Sequence, residues 1–287
     1  MHRRKLLSLY GLKWNPFTPD VPVEALYPTP RIESFVARVE HLVHDGGFAL
    51  VTGEPGYGKS VALRILERRL SELPELTTGV LARPQSGLAD FYRELGALFG
   101  VELRPHNRWA GFQKLRERWR AHAEASLLKP VLLVDEAQEM ASAVLSELRI
   151  LSSGRFDAET YLTVILAGDT RLSDRFRQPD LLPVGSRIRT RLLLDYASAE
   201  ELRAVLDHAL KTAGAPQLFT QGLLNALVEH AAGNYRVLMT LGGELLMAAC
   251  EREQSPIDVK LFFELFHQND ARRGSRARRQ GRAVGAP

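Results

Sequence analysis

Residues Gly53–Ser60, GEPGYGKS, constrain the fold of this chain more than any other stretch. They fit GxxxxGK[ST] and lie between a short apolar run, Phe48–Thr52, and a helical periodicity that starts near Lys59. The glycines let the backbone curl until successive amides face one point. Such amides, with a helix N-terminus behind them, hold phosphate oxygens. The expected cradle is Gly53, Glu54, Pro55, Gly56, Tyr57, Gly58, Lys59, Ser60 and Val61. Lys59 would reach the β- and γ-phosphates of ATP, and the Ser60 hydroxyl would hold Mg²⁺.

Apolar periodicity predicts the surrounding elements. Helices are expected over Ile32–Val43, Lys59–Leu73, Leu88–Phe99, Arg108–Ala125 and Ala141–Leu151. Strands are expected at Phe48–Thr52, Thr77–Ala82, Val131–Val134, Tyr161–Ala167 and Arg191–Leu194. Apolar strands alternating with helices predict an α/β domain, a parallel sheet covered on both faces. After Asp195 only helical patterns follow: Glu200–Ala213, Gln221–Ala231, Tyr235–Cys250 and Pro256–Asn269. Five prolines between Pro16 and Pro30 oppose long helix at the start. The expected domains are therefore an extended arm over 1–30, an α/β domain over 31–195, a small all-helical lid over 196–270 and a disordered basic tail over 271–287.

Composition matters mainly through where charge sits. The tail holds six arginines and no acid, while 32 basic and 34 acidic residues precede it, a net of −2. Basicity thus belongs to the tail rather than the body. The single cysteine, Cys250, excludes an intramolecular disulfide. No apolar run approaches the ~20 residues of a membrane span, and the broken apolar stretch at the start argues against a signal peptide. The expectation is a cytoplasmic protein without a membrane partner. Eight histidines show no metal-ligand spacing, and His41 and His44 alone make no site.

VLLVDEAQ, Val131–Gln138, is an apolar strand ending in two carboxylates. At the carboxyl edge of a parallel sheet these face the phosphate crevice. Asp135 is expected to hold the Mg²⁺ shell beside Ser60, and Glu136 to orient and activate the attacking water.

Taken together, these segments resemble the AAA+ ATPases of the ExeA-like branch, which also covers transposition helpers of the TnsC, TniB and MuB kind. The resemblance runs from about Leu9 to Cys250. It rests on YGLKWNPF (Tyr10–Phe17), LYPTPRIESFVARV (Leu26–Val39), GGFALVTGEPGYGKS, VLLVDEAQEM, VLSELRILSS (Val144–Ser153), SAEELRAVLDHALKTAGA and the GNYR turn. Tyr57 stands where Thr is more usual, Asp169 where many relatives have Gln or Asn, and GNYR replaces Gly-x-Pro-Arg.

Several expectations follow from the resemblance. The fold is a P-loop AAA+ parallel sheet with a helical lid, and the activity is Mg²⁺-dependent ATP hydrolysis. Asp169, ending YLTVILAGD, would sit near the γ-phosphate and the attacking water, or would only cap the next helix. Arg187, with Arg189 as second choice, would reach a neighbouring subunit's γ-phosphate, and Arg236 would touch its own subunit's. The partners are double-stranded DNA, a transposase and further copies of the chain, in a ring or a helical filament of about six subunits per turn. Arg104, Arg108, Lys114 and Arg118 are expected to contact DNA phosphates. The interleaved Trp109, Phe112, Leu115 and Trp119 read as core rather than as a base-stacking stripe. The preferred reading is an ATP-dependent regulator of transposition that assembles on target DNA, with hydrolysis driving disassembly. The alternatives are an ATPase of an envelope secretion-assembly complex, or a nucleotide-gated module with little hydrolysis. ExeA-like proteins typically add a membrane span, whereas this chain ends in the basic tail, which favours the first reading.

Overall fold

The computed structural model describes residues 2–102, 108–125, 128–155 and 158–266. The chain divides into two units, Pro28–Asp195 and a second made of Met1–Tyr27 with Tyr196–Pro287.

In the second unit, α1 covers His2–Tyr10, so the opening is not extended as expected. The prolines begin only at Pro16, and Leu6 and Tyr10, four residues apart, share a face that is buried against the other helices of this unit. Residues 11–27, which contain Pro16, Pro19 and Pro22, hold only a 3₁₀ turn, Val23–Ala25. The first 27 residues therefore fold with the helical unit.

The α/β unit starts with α2, Pro30–Asp45. Thr29 caps it, its hydroxyl accepting from the Ile32 amide, and Pro30 occupies the first turn, where a missing N–H costs nothing. Ile32, Phe35, Val36, Val39, Leu42 and Val43 form its buried stripe. There follow β1 (Gly47–Gly53), α3 (Lys59–Ser71), β2 (Leu76–Leu81), α4 (Leu88–Leu98), α5 (Arg108–Ala125) and β3 (Lys129–Val134). Next come α6 (Ser142–Ser152), β4 (Ser153–Gly154), β5 (Glu159–Thr160), β6 (Thr163–Gly168), α7 (Thr170–Arg175), α8 (Leu182–Gly185) and β7 (Ile188–Leu194).

Five of these strands make one sheet in the order β2-β3-β6-β1-β7, every pair parallel. β6 is buried at all six positions, and β3 at all but Lys129. Truncating a leucine such as Leu166 there would cost about 2–5 kcal/mol. Continuous burial does not extend to the edges. On β7, exposed Arg189, Arg191 and Leu193 alternate with half-buried Ile188 and buried Thr190, Leu192 and Leu194, and on β2 Leu76, Thr77 and Thr78 are half-buried and Val80 is exposed. An edge strand faces solvent on one side, so its sequence alternates. β4 and β5 form a separate two-stranded antiparallel ribbon that the sequence did not announce.

The helical unit continues with α9 (Ala199–Ala213), α10 (Gln221–Ala231) and α11 (Tyr235–Arg252), and residues 259–266 are also helical. Ser198 and Glu201 cap α9 reciprocally, and Thr220 caps α10. Leu206, Leu210, Leu223, Leu227, Leu245 and Phe262 lie in its core. Among the described residues, no helix is long and apolar enough to cross a membrane. The tail, 271–287, lies outside the described residues.

Candidate nucleotide site

Three strand ends build the site. Because β1, β3 and β6 run parallel and adjoin, their carboxyl ends share one edge of the sheet. The phosphate loop leaves β1, the acidic pair leaves β3, and Asp169 leaves β6.

The loop's curl is visible in Gly56 and Gly58, at φ 93° and 94°, values that side chains oppose. Gly53 is needed for a different reason. A Cβ there would lie 2.3 Å from the Leu194 carbonyl oxygen of β7. Gly58 precedes α3 and supplies no side-chain cap, which leaves the helix start suited to an anion. Lys59 is buried, 8% exposed. Its ammonium donates to the carbonyls of Gly53 at 2.8 Å and Glu54 at 3.3 Å. Tyr57 is also buried. Glu54 is exposed and accepts from the Thr170 hydroxyl at 2.7 Å, joining the loop to the start of α7.

The Ser60 hydroxyl donates to Asp135 Oδ2 at 3.0 Å, across 75 residues of sequence. The two groups expected to hold a metal thus already meet. A hydroxyl and a carboxylate are hard oxygen ligands of the kind Mg²⁺ takes, in the company of phosphates and water. The uncapped amides and the buried ammonium match a polyphosphate. On this donor chemistry the site fits Mg²⁺ and a nucleoside triphosphate. Among the described residues there is no cluster of three or more His, Cys, Asp or Glu side chains suited to a metal, so a metal here would rely on phosphate and water for its remaining ligands.

Asp135 Oδ1 accepts the Glu136 amide at 2.8 Å, and Glu136 takes left-handed backbone angles, φ 51° and ψ 36°. Its carboxylate is exposed at the same edge and accepts from the Gln138 side-chain amide. Asp169 caps α7, accepting from the Arg171 amide at 3.0 Å, and pairs with the Arg171 guanidinium at 2.6 Å. That hydrogen bond holds the Asp169 carboxyl below the usual aspartate range against the cost of burial, and the Arg171 charge, its amide and the Lys59 charge add to the effect. Both expectations for Asp169, helix cap and neighbour of the phosphate site, are compatible with this placement. Sequence reading missed Thr170, Arg171 and Gln138, because each acts through a partner on another element or through an unremarkable local turn.

The arginines lie elsewhere. β7 is paired with β1 from Ile188 opposite Phe48 to Leu194 opposite Gly53. Arg187 precedes this strand, seven residues before Leu194, about 23 Å at strand rise. Its guanidinium donates to the Pro183 carbonyl at 2.6 Å. Arg189 is exposed, its side chain lying over Gly47 at the opposite edge of the sheet. Neither is placed to serve its own loop. Arg236 is exposed on the first turn of α11 in the helical unit, where Asn234 of GNYR supplies the cap.

On α5, Lys114 and Arg118 are exposed. Arg104 and the Arg108 side chain lie outside the described residues. Leu115 and Trp119 are core, 0% and 1% exposed. Trp109 is not: it is 70% exposed and stacks on Phe112 with ring centroids 5.7 Å apart. The stripe is therefore core at its inner half only.

The sheet order, the loop after β1, the acids after β3 and the polar end of β6 define an AAA+ P-loop fold with added C-terminal helices. Residues 41–176 match the family model of an AAA domain. The chain is similar to General secretion pathway protein A of Aeromonas hydrophila, 32% identical over 251 residues, which is 85% of this chain and 45% of that protein. It thus spans less than half the length of that relative. Among solved structures it is similar to Cdc6p from Pyrobaculum aerophilum, with a TM-score of 0.66, 15% identity and coverage of 84% of this chain and 67% of that one. Drosophila ORC bound to DNA gives 0.63 at 18% identity, over 90% of this chain and 64% of that one. The Thermotoga maritima RuvB Holliday junction branch migration motor gives 0.58 at 16%, over 87% and 72%. At such identities the likeness shows the fold alone.

Proposed function

We infer that the chain is a Mg²⁺-dependent ATPase whose nucleotide state sets its assembly with further copies of itself. The observation that carries this is the Ser60–Asp135 hydrogen bond at the edge where Lys59 and Glu136 also sit. The loop amides bind the phosphates. Lys59 exchanges its Gly53 and Glu54 carbonyl acceptors for phosphate oxygens, and Ser60 and Asp135 hold the metal. Bound Mg²⁺ supplies charge compensation for the phosphate oxygens. Glu136 orients the attacking water and accepts its proton. Arg187 and Arg189, remote from their own loop, suit a site on another copy, which ties catalysis to assembly. Such coupling needs ATP to bind the assembled state better than the free one.

The relative named for the general secretion pathway supports a role as the cytoplasmic ATPase of a secretion-assembly complex over the transposition regulator expected from sequence. The transposition reading keeps one observation in its favour, the exposed cations Lys114 and Arg118 one turn apart on α5. Turnover measured with and without duplex DNA, alongside gel shifts with ATP, ADP and no nucleotide, separates the two. Nucleotide-dependent DNA binding selects the DNA regulator. Equal DNA binding in all three states counts against it. Failure of the full chain to hydrolyse ATP under any of these conditions, or to change size with nucleotide, would overturn the common reading.

A further inference from the structure

Gln138 lies two residues beyond Glu136 and joins two strand ends. Its side-chain Oε1 accepts the Asp169 backbone amide, at the end of β6, at 3.2 Å. Its Nε2 donates to Glu136 Oε2 at 2.5 Å. The direction of the amide is fixed by chemistry: a backbone N–H can only donate, so the oxygen must face Asp169 and the NH₂ must face Glu136. The seat is enforced from three sides. Arg175 donates to the Gln138 carbonyl at 2.7 Å and to Ser142 at 3.3 Å, pinning the turn. Gly168 leaves room for the amide, since a Cβ there would lie 2.6 Å from Gln138 Oε1. The residue that receives the bond, Glu136, holds a left-handed backbone conformation, uncommon for a side-chain-bearing residue and maintained only where neighbours determine it.

We propose that Gln138 is a positioning residue that registers the Glu136 carboxylate against the end of β6, so that the group accepting the water's proton is set by both strand ends that border the γ-phosphate. This rests on the ATPase reading above. Glu136 leaves β3 on an exposed turn, and a free glutamate there would spread over several rotamers. The amide selects one. Its other hydrogen bond means that any displacement of the Asp169 backbone moves the carboxylate with it. Asp169 can thus influence turnover through its main chain, even while its carboxylate is held by Arg171.

The test uses Gln138→Met, which keeps the shape and removes both hydrogen bonds, and Gln138→Glu, which keeps an acceptor for Asp169 and removes the donor to Glu136. Single-turnover ATP hydrolysis and equilibrium nucleotide binding are measured on the full chain. Both variants are expected to lower the hydrolysis rate about tenfold or more, the scale on which a misplaced catalytic group acts, with nucleotide Kd within about twofold of the parent. In a Glu136→Asp background, whose carboxylate is one methylene short of the amide, Gln138→Met is expected to change the rate no further. A parental rate in Gln138→Met, a loss that appears in Kd instead, or an additive loss in the Glu136→Asp background each overturns the assignment while leaving the ATPase reading intact. A parent that binds ATP and never hydrolyses it overturns both.

Discussion

Replacing Gly53 by alanine tests how closely β1 and β7 must approach to shape the phosphate loop. The new Cβ would sit 2.3 Å from the Leu194 carbonyl oxygen, 3.0 Å from its Cβ and 3.2 Å from its carbonyl carbon. An ordinary carbon–oxygen contact is about 3.3 Å or more, so the strand ends must part by roughly 1 Å. The obstacle is backbone, which has no rotamer to turn aside. Overpacking of this kind costs about 1–3 kcal/mol. At roughly 2–4 °C per kcal/mol for a chain of this size, Tm should fall by about 2–12 °C. The Gly53 carbonyl is also the 2.8 Å acceptor of Lys59, so its displacement reaches the ammonium, and ATP affinity should weaken by about tenfold. Thermal unfolding and titration with a fluorescent ATP analogue read the two effects. Gly87→Ala is the control, since a Cβ there meets nothing within 4 Å and its φ of −70° is open to any residue. A Gly53→Ala protein with the parent's Tm and Kd would refute the steric argument.

In the helical unit, Asn234→Ala removes the acceptor of the Arg236 and Val237 amides and should cost about 1 kcal/mol, read as a lower chemical-denaturation midpoint; unchanged stability would show that the cap contributes nothing. Asp169 titrates below its ordinary value of 3.8 in the folded chain, chiefly through the Arg171 hydrogen bond. Its pairing therefore stabilises the fold above that pH and is lost as pH falls through the folded value. Asp169→Asn, which can still cap α7, should give a flatter decline of Tm below about pH 4, and an acid limb identical to the parent's would exclude the pairing as a source of stability.

What the sequence disclosed was local. Gly53–Ser60 carries its own geometry in consecutive residues, and Val131–Glu136 announces a buried strand with acids at its end. The parallel sheet followed from apolar runs alternating with helical periods. Apolar patterning starts β7 only at Arg191, because at an edge exposed Arg189 breaks the run that marks a central strand. α1 was obscured by prolines that lie downstream of it. In the site, the bonds from Gln138 to Asp169 and from Glu54 to Thr170 span 31 and 116 residues, and no periodicity records a tertiary pairing. Spacing assigns the exposed Trp109 to the core because helical periodicity gives the face of a residue, not how far along α5 the core extends.

The position of β1 has a bearing on how the chain is made. Its neighbours in the sheet are β6 and β7, strands translated more than a hundred residues later. A ribosome releasing this protein therefore emits the apolar run Phe48–Val51 long before the segments that will flank it. Pairings so distant in sequence form slowly, and an unpaired hydrophobic strand is meanwhile open to self-association. The region of the molecule best defined by its own residues is thus among the last to be completed, and expression yield should depend on how the nascent strand is shielded until Leu194 has emerged.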